Sequence, residues 1–166
     1  MSKSFKTLRV LVVDGDRFSR GLLRDVLEGL GLLGQNILRV GDGLEALELL
    51  QTADVDIVIC DRQMGAIDGV EFVRKLRDPN ESPTPGVPII FCSHRLDRQL
   101  VEAIREAGVN EAILKPITHN SIQSRICQVL EKPRPIVDAA DYTGPDRRRV
   151  KSDDILRERR SKAVDV

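Results

Sequence analysis

The chain has no tryptophan, one tyrosine and four phenylalanines in 166 residues, so its interior has to be built from aliphatic side chains. It lacks a run of about 18 apolar residues, the length a membrane-spanning helix needs. It also lacks a charged-then-apolar amino terminus of the kind that directs secretion. A cytosolic protein is the expectation. Cysteine is scarce: Cys60, Cys92 and Cys127 stand inside apolar stretches without paired spacing. An odd number of such thiols points to buried residues in a reducing compartment, and excludes a disulfide or zinc framework. Net charge is zero, but residues 1–131 carry 16 Lys/Arg against 19 Asp/Glu, and residues 132–166 carry 10 against 7. An acidic body therefore bears a basic tail. No internal repeat is present.

What the chain does have is a series of short apolar runs separated by helical periodicities. Thr7 to Val13, Asn36 to Val40, Val55 to Asp61, Val87 to Cys92 and Glu111 to Leu114 read as five strands, rich enough in Val and Ile to be buried on both faces. Between them, Leu22, Leu23, Val26, Leu27 and Leu30 mark one helix, Leu44, Leu47 and Leu50 a second, and Asp68 caps a third running to about Arg77. Leu96, Leu100, Ile104 and Ala107 mark a fourth helix ended by Gly108, and Ile117 to Leu130 forms the last. Strands alternating with helices in this way predict an α/β fold, a doubly wound parallel sheet with helices on both faces. The pattern stops at Lys132-Pro133-Arg134-Pro135. Residues 132–166 are polar and charged and cannot bury enough surface to fold alone, so a largely disordered tail is expected, with at most a marginal helix over 154–162.

In an open parallel sheet the ligand crevice lies outside the carboxyl ends of the strands. Strand one delivers Asp14 and Asp16 there, strand three Asp61, strand four Ser93, and strand five Lys115-Pro116. A carboxylate nucleophile, an acidic cation pocket, and a lysine with a hydroxyl to hold transferred oxygens are the parts phosphoryl transfer to an aspartate needs. Magnesium suits such a pocket, because a few carboxylates, a backbone carbonyl and waters complete its octahedral shell. No nucleophile–base pair exists outside this pocket, so an enzyme in its own right is not expected.

The order and spacing of Asp61, Ser93 and Lys115-Pro116, with Asp-x-x-Met-x-x-x-Asp-Gly over Asp61 to Gly69, resemble bacterial response-regulator receiver domains, the CheY-like family. The resemblance covers about residues 7–131 and implies a flavodoxin-like fold of five parallel strands. It implies Asp61 as phospho-acceptor, Ser93 and Lys115 as contacts to phosphoryl oxygens, and a Mg2+ ion held by Asp14, Asp16, Asp61 and Gln63. It further implies a histidine kinase or phosphotransfer protein as donor, a downstream protein target, and a signal leaving through the surface of helix four, strand five and helix five. Four positions depart from the family pattern. Gly15 stands where a second acid is usual, so metal binding should weaken unless Asp16 turns inward. Gly65 replaces a proline, which should loosen the loop beside Asp61. Ala112 replaces the aromatic switch residue, and His94 replaces a small residue beside the acyl-phosphate.

In the tail, Tyr142 precedes Arg147, Arg148 and Arg149. Arginine forks bind phosphates or guanine edges through paired hydrogen bonds, and a tyrosine ring can stack on a base. The stretch Asp141 to Arg149 resembles the arginine-rich extensions of CheY-like effectors of cyclic di-GMP, which implies nucleotide binding through Tyr142 and the three arginines. A solvated basic tail is the other reading, and DNA binding is not expected because Asp146, Asp153, Asp154 and Glu158 dilute the charge. Three functions follow as alternatives: a single-domain response regulator, a second-messenger effector, or a scaffold receiver that is never phosphorylated.

Overall fold

The computed structural model describes residues 3–140 and 142–147. Its strands and helices alternate as β1 (Val10–Val13), α1 (Arg17–Gly29), β2 (Ile37–Val40), α2 (Gly43–Leu50), β3 (Ile57–Asp61), α3 (Gly69–Arg77), β4 (Ile89–Ser93), α4 (Arg98–Ala107), β5 (Glu111–Leu114) and α5 (His119–Glu131). The five strands form one parallel sheet in the order β2-β1-β3-β4-β5. The doubly wound α/β fold expected from the sequence is therefore present, and its strand order reverses between β1 and β3, where the crevice of such folds lies.

The period of two along each strand decides which helices it holds. Leu11, Val13, Val58, Cys60, Ile89 and Phe91 face one side, where they pack with Ala46, Phe72, Leu76, Leu100 and Ile104 of α2, α3 and α4. Val10, Val12, Ile57, Ile59, Ile90 and Cys92 face the other, against Leu23, Leu27, Ile122 and Ile126 of α1 and α5. The core is aliphatic, with Phe72 and Phe91 as its fully buried rings. Cys60 and Cys92 are buried thiols whose pKa burial raises, Cys92 to about 12, which leaves them inert; Cys127 is only half-buried.

The helices start where the sequence provides a cap. Asp16, Asp42, Asp68, Asp97 and Thr118 each accept a first-turn N–H with the side chain. Gly108 closes α4 at φ 107°, a left-handed turn that suits glycine.

At the amino ends of β4 and β5 a second structural centre appears. Arg77, only 3% exposed, donates to the carbonyls of Gly108 (2.9 Å), Pro85 (2.7 Å) and Val87 (2.6 Å) and to Asn110 Oδ1 (2.8 Å). Asn110 Oδ1 also accepts from the Ile89 N–H at 2.9 Å. One guanidinium thus ties the end of α3 to the starts of two strands. Burial lowers its pKa to about 10, which still leaves it charged at any pH near neutrality.

Against this centre the chain adds an element where the sequence predicts no fold of its own. Strands β6 (Ile136–Ala139) and β7 (Tyr142–Pro145) form an antiparallel ribbon. Arg134 donates to the Asn110 carbonyl and lies 3.5 Å from Glu111, and Arg105 donates to the Arg147 carbonyl at 2.8 Å. Gly144 and Pro145 are buried, Gly144 because a Cβ there would stand only 3.3 Å from the Cα of Gly108. The segment packs on a surface that Gly108, held by Arg77, provides, a tertiary partner that composition does not reveal. Arg148, Arg149 and the helix expected over 154–162 lie outside the described residues.

Candidate phosphoryl pocket

Three strand ends converge as the spacing predicts. Asp14 follows β1, Asp61 closes β3, and both carboxylates are about 8% exposed. Lys115, the residue after β5 and bounded by a cis Lys115-Pro116 bond, turns back between them. Its Nζ lies 3.1 Å from Asp14 Oδ2, pairs with Asp61 Oδ2, and donates to Ser19 Oγ at 2.9 Å. Burial pushes the lysine pKa down, and hydrogen bonds and charge from Asp61 and Asp14 push it up more, so the net direction is upward. The ammonium is therefore fully charged at neutral pH. Ser93, buried at the end of β4, accepts from the Arg95 N–H at 3.3 Å, which leaves its own O–H to be given to a ligand. Asp14, Ser19, Asp61 and Lys115 open into a cleft of about 660 Å³ shared with Phe18, Leu22, Met64, His94 and Pro116.

Asp16 is the first correction. The carboxylate does not turn inward; it caps α1 by accepting from Phe18 N–H at 2.8 Å and Ser19 N–H at 3.4 Å. The first turn of a helix needs an acceptor for its orphan N–H groups, and Asp16 is the side chain placed to serve. Its own N–H bonds Asp14 Oδ1 at 2.8 Å.

Gly65 is the second correction. The Gly15 N–H donates to the Gln63 carbonyl at 3.0 Å, and a Cβ on Gly15 would lie 3.0 Å from Met64 Cα and 3.1 Å from that carbonyl. The missing acid is thus also a missing obstacle, and the loop after β3 closes onto the loop after β1. Gly65 does not loosen that loop. Its N–H bonds the Gly41 carbonyl at 3.2 Å, and the next N–H, of Ala66, bonds Asp42 Oδ2 at 3.1 Å. The Ala66 N–H, and after it the Leu44 N–H, hold the Asp42 carboxyl below its usual pKa. A Cβ at position 65 would meet Asp42 Oδ2 at 2.5 Å, so glycine is what lets the two loops touch.

Sequence reasoning missed Ser19 and Arg20. Arg20 Nη1 donates to the Asp14 carbonyl at 2.6 Å. Both sit within one turn of Asp16, so assigning the cap to Asp16 would have aimed them at the strand ends. His94 is exposed on the rim of the cleft. His119, also exposed, begins α5 against Gly29, and Met64 packs on Gly43 and Ile67. Ala112 faces the α2–α3–α4 core and fills no aromatic role.

The donors fit a magnesium ion that keeps most of its water: two carboxylates and the Gln63 carbonyl, all hard oxygens. Each carboxylate already accepts a backbone N–H, and both are held by Lys115. Among the described residues no group of three or more His, Cys, Asp or Glu side chains converges on a metal position.

In the ribbon, Arg147 and Tyr142 find each other. The guanidinium carbon lies 3.7 Å from the ring centroid, and Tyr142 Oη donates to the Pro145 carbonyl at 2.7 Å. One face of the ring expected to stack on a base is thus covered by arginine from the same chain.

The family model described as response regulator receiver domain matches residues 10–127. The chemotaxis protein CheY-3 of Vibrio cholerae is 27% identical over 127 residues, 76% of this chain and 95% of its own length. The cyclic di-GMP phosphodiesterase response regulator RpfG of Xanthomonas campestris pv. campestris is 31% identical over 125 residues, 75% of this chain but 32% of RpfG. Among solved structures, chemotaxis response regulator CheY4 of Vibrio cholerae superposes with a TM-score of 0.65 at 24% identity, covering 74% of this chain and 98% of CheY4. The receiver domain of sensor histidine kinase PA1611 from Pseudomonas aeruginosa PAO1, with a magnesium ion coordinated in its active site cleft, gives 0.64 at 23% identity, covering 74% of this chain and 96% of that one.

Proposed function

The chain belongs to the response-regulator receiver domain family, and from that membership we propose that it accepts a phosphoryl group on Asp61 and signals through protein contact. We take residues 1–131 as the receiver and 132–166 as its basic extension. The observation that carries the reading is the meeting of Asp61, Lys115 and Asp14 in one cleft, with Ser93 closing the neighbouring strand β4. In the reaction an Asp61 carboxylate oxygen forms a bond to phosphorus. The bond from phosphorus to the donor's nitrogen or oxygen breaks, and its electron pair and a proton stay with the donor. Lys115 leaves the carboxylates to pair with the transferred phosphoryl oxygens, and the Ser93 hydroxyl donates to one of them. Magnesium, held by Asp14, Asp61 and the Gln63 carbonyl, would neutralise charge on those oxygens. A histidine kinase or phosphotransfer protein is the donor class, and the α4–β5–α5 surface is the way out.

Incubation with a small phosphodonor and millimolar magnesium should add one phosphoryl group by intact mass, and Asp61→Asn should add none. Wild-type protein that gains no mass would overturn this reading and leave a scaffold receiver.

A second reading has one observation in its favour. Arg147 already lies over Tyr142 and its carbonyl is gripped by Arg105. A guanine dinucleotide such as cyclic di-GMP would meet a preformed aromatic–arginine pair, followed in sequence by Arg148 and Arg149, which lowers the ordering cost that a free tail would carry.

A further inference from the structure

Lys115 is gripped at three points, and only two of them are carboxylates. The third, Ser19 Oγ at 2.9 Å, comes from the third residue of α1, a place set by the Asp16 cap. Ser19 is half-buried and lines the cleft beside Asp14 and Lys115. Its oxygen cannot change the charge of the pocket, so its effect on Lys115 is directional. An ammonium has three N–H donors in tetrahedral array; here one goes to Asp14 and one to Ser19, while the same head group is ion-paired with Asp61. The hydroxyl completes the set and fixes the head group across the two carboxylates that a metal would also use. We infer that Ser19 is a positioning residue which, with Asp14 and Asp61, seats the Lys115 ammonium as the pocket's internal cation, in competition with an incoming divalent ion.

The geometry supports this from the other side as well. With Gly15 in place of an acid and Asp16 turned to the helix cap, the pocket offers two carboxylates. Lysine neutralises one of the two negative charges they carry. A dication must therefore displace the lysine to gain both, and each bond that retains the lysine raises the cost of that exchange.

The inference rests on the proposed phosphoryl pocket, but its test separates the two. Hydrogen exchange of the Lys115 ammonium, followed by nitrogen-15 NMR on metal-free protein, should run several-fold faster in Ser19→Ala than in wild type. Ser19→Thr, which keeps the hydroxyl, should restore the slow rate. Alanine favours helix at this position, so the variant folds, and a thermal melt checks it. Magnesium titration of the same proteins should give a several-fold lower Kd for Ser19→Ala and a wild-type value for Ser19→Thr. An unchanged ammonium exchange rate in Ser19→Ala overturns the role of Ser19. Altered exchange with no magnesium binding in any protein keeps the grip and overturns the metal part of the proposed function.

Discussion

Two buried cations stand at opposite poles of the same sheet. At the amino ends of β4 and β5, Arg77 spends its guanidinium on three carbonyls and one side-chain amide, all neutral. At the carboxyl ends, Lys115 spends its ammonium on two carboxylates and a hydroxyl. The planar fork of arginine suits several fixed acceptors at set angles, and the compact head of lysine on a flexible stem suits partners that can be exchanged. Neutral backbone acceptors cannot be titrated, phosphorylated or claimed by a metal. Carboxylates can. The contrast separates a cation that fastens elements from one whose partners are the reacting groups.

The sharpest break of that comparison is at Arg77. Arg77→Leu should lower the free energy of unfolding by at least about 3 kcal/mol, since four buried acceptors lose charge-assisted bonds. Arg77→Lys should recover less than half, because one ammonium cannot span four acceptors set around a plane. Urea unfolding measures both. A lysine variant of wild-type stability would show that charge alone, without the fork, fastens this pole, and the distinction drawn above would fail.

A smaller effect is expected at the other pole. Gly15→Ala and Gly15→Asp should each cost about 1 kcal/mol of stability, because the new Cβ presses on Met64 Cα and the Gln63 carbonyl. Only the aspartate should tighten magnesium, by several-fold, as its carboxylate adds a hard ligand. Calorimetric titration beside urea unfolding tells steric cost from ligand gain. Equal magnesium affinity in the two variants would mean that the closed loops, not the missing acid, limit the metal.

The two poles were unequally legible in the sequence. Asp61, Ser93 and Lys115 could be read because each follows an apolar strand, and strand ends of a parallel sheet share an edge. Asp16 was misread because two demands compete for one carboxylate: the metal pocket is a sum of distant parts, while the helix cap is local and wins. Arg77 was read only as the end of α3, because its partners Pro85, Val87, Gly108 and Asn110 come together through loops without periodicity. The ribbon was hidden for the same reason. Its own residues bury little, and the surface that receives Gly144 is made by Gly108, whose carbonyl Arg77 holds together with Asn110.

The most direct test of an exchangeable and a fixed pole is a magnesium titration followed residue by residue through backbone amide NMR. The account predicts shifts at Asp14 to Ser19, Asp61 to Ala66 and around Ser93 and Lys115, saturating only at high millimolar metal, with Arg77, Gly108, Asn110 and the ribbon unmoved. Shifts that spread equally to the Arg77 pole, or none at Asp14 and Asp61, would contradict it.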